Sequence, residues 1–597
     1  MTDRRLEEDL FKGEFRGHTF LRILKFARPH WPLMAGFLVA ITFTAFLDSL
    51  NTYISRFVID RGVIPGDAEQ LLRWGGILGG FFLLNSLSFL VFFTCAGRLG
   101  ELLQYDIRRK MFEHLQAMSF SFFDKTSSGW LLSRITSDSQ RIARLASWMF
   151  LDIVWGSVNI VLAFIFMASM NIRLTLILGA VAPLLVFTAL LFKRRIIVEF
   201  RKVRAINSRI THAFSENIAG VKVVKALNRE EKNLNSFQKM THDIHSASFR
   251  AGWLSALFLP LVQFITTLGV AAILLAGGWQ LMDGYLSPGE FRAFIGYITF
   301  MMWPVLDLAR VMGEMQQSVA SAERVFTLLD THSEIKDSPG AMTKAAFVGS
   351  VEFQGVTFSY NSDNPVIKGI DLKVEPGQMV ALIGPTGGGK STMVNLVARF
   401  YEPLSGRILF DGRDYRDYTQ AALQSRIGVV LQHPHLFSGT VRDNIIYGNL
   451  DASERQIIDA AMMANAHESI CSLPGGYESE VGEGGSRLSI GQRQLISLAR
   501  VFVSNPDLII MDEATSSIDS LTEHKIQQGI TTLLKGRTSF IIAHRLSTIR
   551  NADRILVIEG GHIVEDGCHE DLLKNGGSYH SLYTTQMKEE WSAALGF

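Results

Sequence analysis

Eight consecutive residues carry the plainest chemistry in this 597-residue chain: Gly384-Pro385-Thr386-Gly387-Gly388-Gly389-Lys390-Ser391. They fit G-x-x-x-x-G-K-[ST], a pattern that binds phosphate. Glycines let the backbone curl until successive N–H groups face anionic oxygens, and a helix starting there adds the positive end of its dipole. Lys390 supplies a charge for β- and γ-phosphates, and Ser391 supplies a hydroxyl oxygen for Mg²⁺. Thr392 follows directly and is grouped with the nucleotide contacts. Two elements must position the loop. The apolar run Met379 to Ile383 reads as a buried strand, and 391–401 reads as the helix leaving it. A glycine-rich turn with a chance lysine is the plainer alternative, and the groups further along the chain weigh against it.

Residues 507–512 form another strand pattern, ending on Asp512, which can hold Mg²⁺ beside Ser391. Glu513 comes next, where a carboxylate can orient or deprotonate an attacking water. His544 ends the apolar run 540–543 and can reach a γ-phosphate. Gln432 ends the run 427–431 with an amide suited to Mg²⁺ and water. Tyr360, after 356–359, offers a ring for stacking on a nucleobase. Alone, each has a structural reading as well: a solvated acid, a core histidine, a polar strand end, a core aromatic. Leu488-Ser489-Ile490-Gly491-Gln492 precedes a helical pattern, so Ser489 and Gly491 stand at a second helix N-terminus suited to an anion.

The first half of the chain is different in kind. Six apolar stretches, about 32–57, 71–97, 146–170, 173–192, 253–282 and 288–308, meet the roughly 20 residues a bilayer-crossing helix needs. Basic residues cluster before the first stretch, between the second and third, and between the fourth and fifth. The segment 283–287 has no Lys or Arg, so both termini are expected in the cytoplasm. Residues 18–28 suit a helix lying in the membrane interface. The charges almost cancel, with 58 Lys and Arg against 57 Asp and Glu, which argues against nucleic acid as a partner. Three cysteines without metal-ligand spacing fit a reduced setting, and the acidic start lacks the apolar core of a cleaved signal. The expected organisation is an N-terminal segment with an interfacial helix (1–30), a six-span membrane domain with long cytosolic helical extensions (31–325), a linker (326–348), an α/β P-loop NTPase domain (349–585) and a tail (586–597). Membrane lipids are its surroundings.

Taken together, these motifs resemble the ATP-binding cassette exporters. LSIGQ at 488–492 looks like that family's LSGGQ signature, and Tyr477 to Glu483 looks like the exporter segment just before it. Ser516-Ser517-Ile518-Asp519 resembles the loop after the catalytic acid. Phe123-Asp124 with Gly129, and Glu216 with Gly220, resemble the two cytosolic coupling segments. The resemblance implies a half-transporter of a bacterial inner membrane, functional as a dimer and using ATP with Mg²⁺. It places each ATP between the phosphate loop of one subunit and the signature of the other. By this resemblance Glu513 and His544 are catalytic, while Tyr360, 384–392, Gln432, Ser489, Gly491 and Gln492 bind nucleotide. Ser391, Gln432 and Asp512 hold the metal. Ile490 departs from the family's glycine. A homodimer is favoured, and a heterodimer containing this chain as the catalytically intact half is the alternative.

The expected activity is ATP-driven export or flipping of a small amphipathic molecule, drug, peptide or lipid. An importer on the same scaffold is the second reading, and a soluble cassette ATPase conflicts with the six spans. Phe81, Phe82, Phe89, Phe92 and Phe93 could line a substrate cavity or face lipid, and Asp48 is the candidate cavity group of the first span.

Overall fold

The computed structural model describes residues 17–345, 347–361, 364–512, 519–543 and 546–595. Glu513, Ser516, Ser517, Ile518 and His544 therefore lie outside the described residues. The chain divides into two compact units: Met1–Gln116 with Ser127–His332, and Ala117–Thr126 with Ser333–Phe597.

The first unit is helical. A short helix, Gly17–Ala27, precedes Trp31–Val58, Ala68–Gln116, Phe150–Met170, Ile172–Ala219, Glu230–Met282 and Pro288–Asp330. Five helical stretches among the described residues are long and apolar enough to cross a membrane: Leu21–Val63, Ala68–Gln116, Ser128–Met170, Ile172–Ala219 and Glu230–Met282. The apolar run 288–308 lies in Pro288–Asp330, several of whose side chains are outside the description. The apolar runs and the basic helical patterns after them form single helices, the 49 residues of Ala68–Gln116 among them. Helix starts are explicit. Asn171 accepts from the N–H groups of Arg173 and Leu174, and Ser287 forms a reciprocal capping box with Glu290. Ala163, Met167, Leu174, Ile273, Phe294 and Tyr297 are buried together where the third to sixth long helices meet.

The second unit has two sheets. The strands are β1 (Val351–Phe358), β2 (Ile367–Val374), β3 (Met379–Ile383), β4 (Ser405–Phe410), β5 (Arg413–Asp414), β6 (Ile427–Val430), β7 (Leu508–Asp512), β8 (Thr538–Ile542), β9 (Arg554–Glu559) and β10 (His562–Gly567). An antiparallel sheet runs β2-β1-β4-β5, and a larger sheet runs β10-β9-β3-β8-β7-β6. In the larger one β9, β3, β8, β7 and β6 are parallel. Its central strands are buried without alternation because both faces are covered. Val380 and Leu382 enter one core with Phe540 and Ile510, whereas Ala381 and Ile383 enter another with Ile541 and Met511. The period of two in a strand sends neighbours to opposite faces.

Candidate functional site

The parallel strands all end on one edge of the larger sheet, the edge at which α/β proteins place ligands. β3 delivers the glycine-rich loop there, and Asp512 is the last residue of β7. Gln432 follows β6 and is exposed. At Gly384, φ is +140°, and a Cβ would stand 2.2 Å from the carbonyl oxygen of Ile558. Only glycine lets the loop lie this close to β9. The Gly561 N–H donates to the Gly388 carbonyl at 3.2 Å and fixes the loop's far side. Ile558 and Gly561 are thus part of the loop's seat, although their sequence surroundings carry no recognisable motif.

Lys390 is buried and begins the helix Lys390–Val397. Its ammonium donates to the carbonyls of Gly384, at 2.7 Å, and Pro385, at 2.9 Å. Burial lowers its pKa from the usual lysine value, and the Asp512 carboxylate acts in the other direction. The amine is thereby stored at the loop's mouth with internal acceptors that an incoming phosphate can replace. Ser391 is exposed in the first turn. Tyr360 and Thr392 share a hydroxyl–hydroxyl hydrogen bond of 3.2 Å, and the Tyr360 ring stands edge-on to Phe358 and Tyr401. Its remaining exposed surface can take a planar base.

The helix stops short of the expected 391–401. Arg399 has φ +53° and its side chain is buried, donating to the carbonyls of Tyr415 and Tyr418 and pairing with Glu402 at 2.9 Å. These partners favour a left-handed break over another helical turn. The break turns Phe400 and Tyr401 toward Ala117–Thr126, a segment of the same unit. Phe120 stacks on Phe400 with centroids 5.2 Å apart, and the Tyr401 hydroxyl donates to Asp124. Burial and then the Asp124 carboxylate raise the Tyr401 pKa, so the phenol remains a donor. Lys125 pairs with Glu334 at 2.9 Å. Sequence reading singled out Phe123-Asp124 but not Tyr401. An aromatic pair at the end of the loop's helix was the available signal.

Ser489 caps the helix Ile490–Ser504. Its hydroxyl accepts from the Gln492 N–H at 3.2 Å, and the Gln492 side chain accepts from the Ser489 N–H at 2.9 Å. This box satisfies two N–H groups internally. The Ser489 O–H proton and other first-turn N–H groups are left for an anion. Gly491 is buried, while Ile490 is 44% exposed, so its bulk is carried outward. Among the described residues no hydrogen bond joins 489–492 to the loop 384–391.

The first unit contains its own cavity, of about 570 Å³. Asp48 lines it together with Asn85, Trp155, Phe82, Phe89 and Phe300. Asn85 donates to one carboxylate oxygen of Asp48 at 2.7 Å and the Trp155 indole donates to the other at 3.2 Å.

Bilayer-length helices joined in one chain to a phosphate-loop α/β unit define a membrane ATPase. The family models agree: residues 34–305 match the ABC transporter transmembrane region and residues 367–516 match the ABC transporter model. The chain is 36% identical to the ATP-dependent lipid A-core flippase of Syntrophus aciditrophicus over 97% of its own length and 96% of the relative's. It is 39% identical to the fatty acid ABC transporter ATP-binding/permease protein of Mycobacterium bovis, over 80% of this chain and 75% of that one. A solved structure of a bacterial Atm1-family ABC exporter with ATP bound is similar, with 27% identity and a TM-score of 0.75, covering 93% of this chain and 98% of the other. The chain belongs to the ATP-binding cassette transporter family, in its exporter branch. It is an integral membrane protein that couples ATP hydrolysis to export.

Proposed function

We propose that the chain is a half-transporter that works as a homodimer and moves an amphipathic small molecule or lipid out of the inner membrane of a bacterial cell. The observation that carries this reading is the joining of a phosphate-loop ATPase to a polar-and-aromatic cavity among bilayer-length helices. The similarity to a lipid A-core flippase and a fatty acid transporter supports an amphipathic substrate class. In the proposed site, the backbone of 384–389 and Lys390 hold the β- and γ-phosphates, with Ser391 and Thr392 beside them. Tyr360 stacks on the base. Ser489, Gly491 and Gln492 of one copy close over the nucleotide bound by the other. Glu513 takes a proton from, or orients, the water attacking the γ-phosphorus, and His544 helps to position that water.

Mg²⁺ suits the oxygen donors here: the Ser391 hydroxyl, the Asp512 carboxylate and the Gln432 amide, with water and phosphate completing the shell. It would neutralise charge on the phosphates. Every one of these donors comes from the same sheet edge.

Two experiments test the reading. Purified alone in lipid nanodiscs, the chain hydrolyses ATP, and reconstituted in proteoliposomes it moves a fluorescent amphipathic molecule across the bilayer only when ATP is present. Activity that needs a different half-transporter overturns the homodimer. The second concerns orientation, with both termini and the ATPase placed in the cytoplasm. In intact cells, on a background with Cys95, Cys471 and Cys568 replaced, Gly284→Cys reacts with a membrane-impermeant thiol reagent and Ser127→Cys does not. The reverse pattern overturns the orientation.

A further inference from the structure

We propose that the Asp48 cavity is a subsite for the positively charged head of an amphipathic substrate. This rests on the export reading and narrows it to cationic amphipaths. An ionisable side chain within a bilayer-crossing helix is costly and tends to mark a substrate or ion pathway. Asp48 lies in Trp31–Val58, among residues of three other long helices. Among the described residues it has no Lys, Arg or His partner. Its two donors, Asn85 and Trp155, are neutral. They orient the carboxylate and occupy about two of its roughly four acceptor positions. Among the described residues no counter-ion faces the carboxylate.

The rest of the lining suits the same occupant. Phe82, Phe89 and Phe300 border the cavity, and the Trp155 and Phe300 rings meet edge-to-face with centroids 6.1 Å apart. Aromatic faces attract a delocalised cation as well as an apolar body. The volume of about 570 Å³ is that of a drug-sized pocket. An anionic head would meet the Asp48 carboxylate and no compensating cation among the described lining residues. A neutral lipid would leave that charge buried against hydrocarbon. The chemistry therefore selects an apolar, preferably aromatic, molecule bearing one positive charge.

A pair of probes of equal shape and opposite charge isolates the effect. Tetraphenylphosphonium and tetraphenylborate are each titrated, without ATP, against the whole chain in nanodiscs, by equilibrium dialysis. The cation binds saturably, and Asp48→Asn raises its Kd by about tenfold or more, the loss expected when one member of a partly buried charge pair is removed. Asp48→Glu, which keeps the charge, retains most of the affinity. Tetraphenylborate binds no more weakly to Asp48→Asn than to the parent. Fluorescent ATP-analogue binding to each variant reports whether it is folded. Equal cation binding by parent and Asp48→Asn overturns the proposal. So does equal loss in Asn and Glu variants that still bind the ATP analogue, or no saturable cation binding at all, as when a second copy or bound lipid fills the cavity. Because binding is read without hydrolysis, these outcomes are separate from failure of ATP-driven transport, which would instead remove the export reading.

Discussion

Replacing Glu513 by glutamine preserves ATP binding and lowers steady-state hydrolysis by about 10²–10⁴-fold, the usual contribution of a general base. In the sequence the residue follows Asp512, the last position of β7. Glutamine keeps the size and one carbonyl oxygen but cannot accept a proton from water. Lys390→Ala has a different signature. It removes a buried ammonium from the loop's mouth and weakens nucleotide binding itself. Titration with a fluorescent ATP analogue, together with phosphate-release kinetics, separates the two. Hydrolysis by Glu513→Gln near the parental rate removes the catalytic assignment.

Ser489→Arg brings ATPase activity of the purified chain down to the level of Glu513→Gln. In a homodimer each signature serves the opposite phosphate loop, so one substitution blocks both sites. Arginine cannot reproduce the cap at the start of Ile490–Ser504, at a cost of about 0.5–2 kcal/mol, and it fills the space meant for phosphate oxygens. Ser489→Ala loses the hydroxyl and the cap without adding bulk, and separates the two effects. Ile490→Gly provides the contrast. Its side chain is 44% exposed, so the rate changes by only about twofold, the kinetic equivalent of a roughly 0.5 kcal/mol surface effect. A large gain would show that Ile490 had been impairing the site.

Much of the fold was legible because its strongest signals are local. Apolar runs too long for a soluble helix announced the membrane unit, and the apolar runs Met379–Ile383 of β3, Leu508–Met511 of β7 and Phe540–Ile542 of β8 reflect their two covered faces. Glycine spacing betrayed the loop because no other residue fits against Ile558. Long-range pairings were not legible. The antiparallel partners of β1 are set by registers such as Val351 with Val374 and with Phe410, which no short window contains. The early end of the loop's helix depends on Arg399 finding carbonyls at Tyr415 and Tyr418. The contact of Tyr401 with Asp124 spans 277 positions. The reciprocal bonds of Ser489 and Gln492 were within reach, since Ser-x-x-Gln before an apolar helix is a capping-box pattern.

The uninterrupted helix Ala68–Gln116 has a mechanical consequence. Its 49 residues, at 1.5 Å each, make a rod about 74 Å long, more than twice the roughly 30 Å of a bilayer's hydrocarbon. Beyond its apolar run, about 71–97, residues 98–116 extend the rod by about 28 Å. No proline interrupts its ladder of hydrogen bonds, and its glycine pairs, Gly75-Gly76 and Gly79-Gly80, lie near its start, so beyond them a change of tilt is carried along its length instead of being absorbed at a kink. A rotation of about 5° about the membrane boundary displaces the far tip by about 2–3 Å for such an arm. The helix is a lever with its fulcrum at the lipid surface: small angular changes within the bilayer become displacements of atomic size at its outer end.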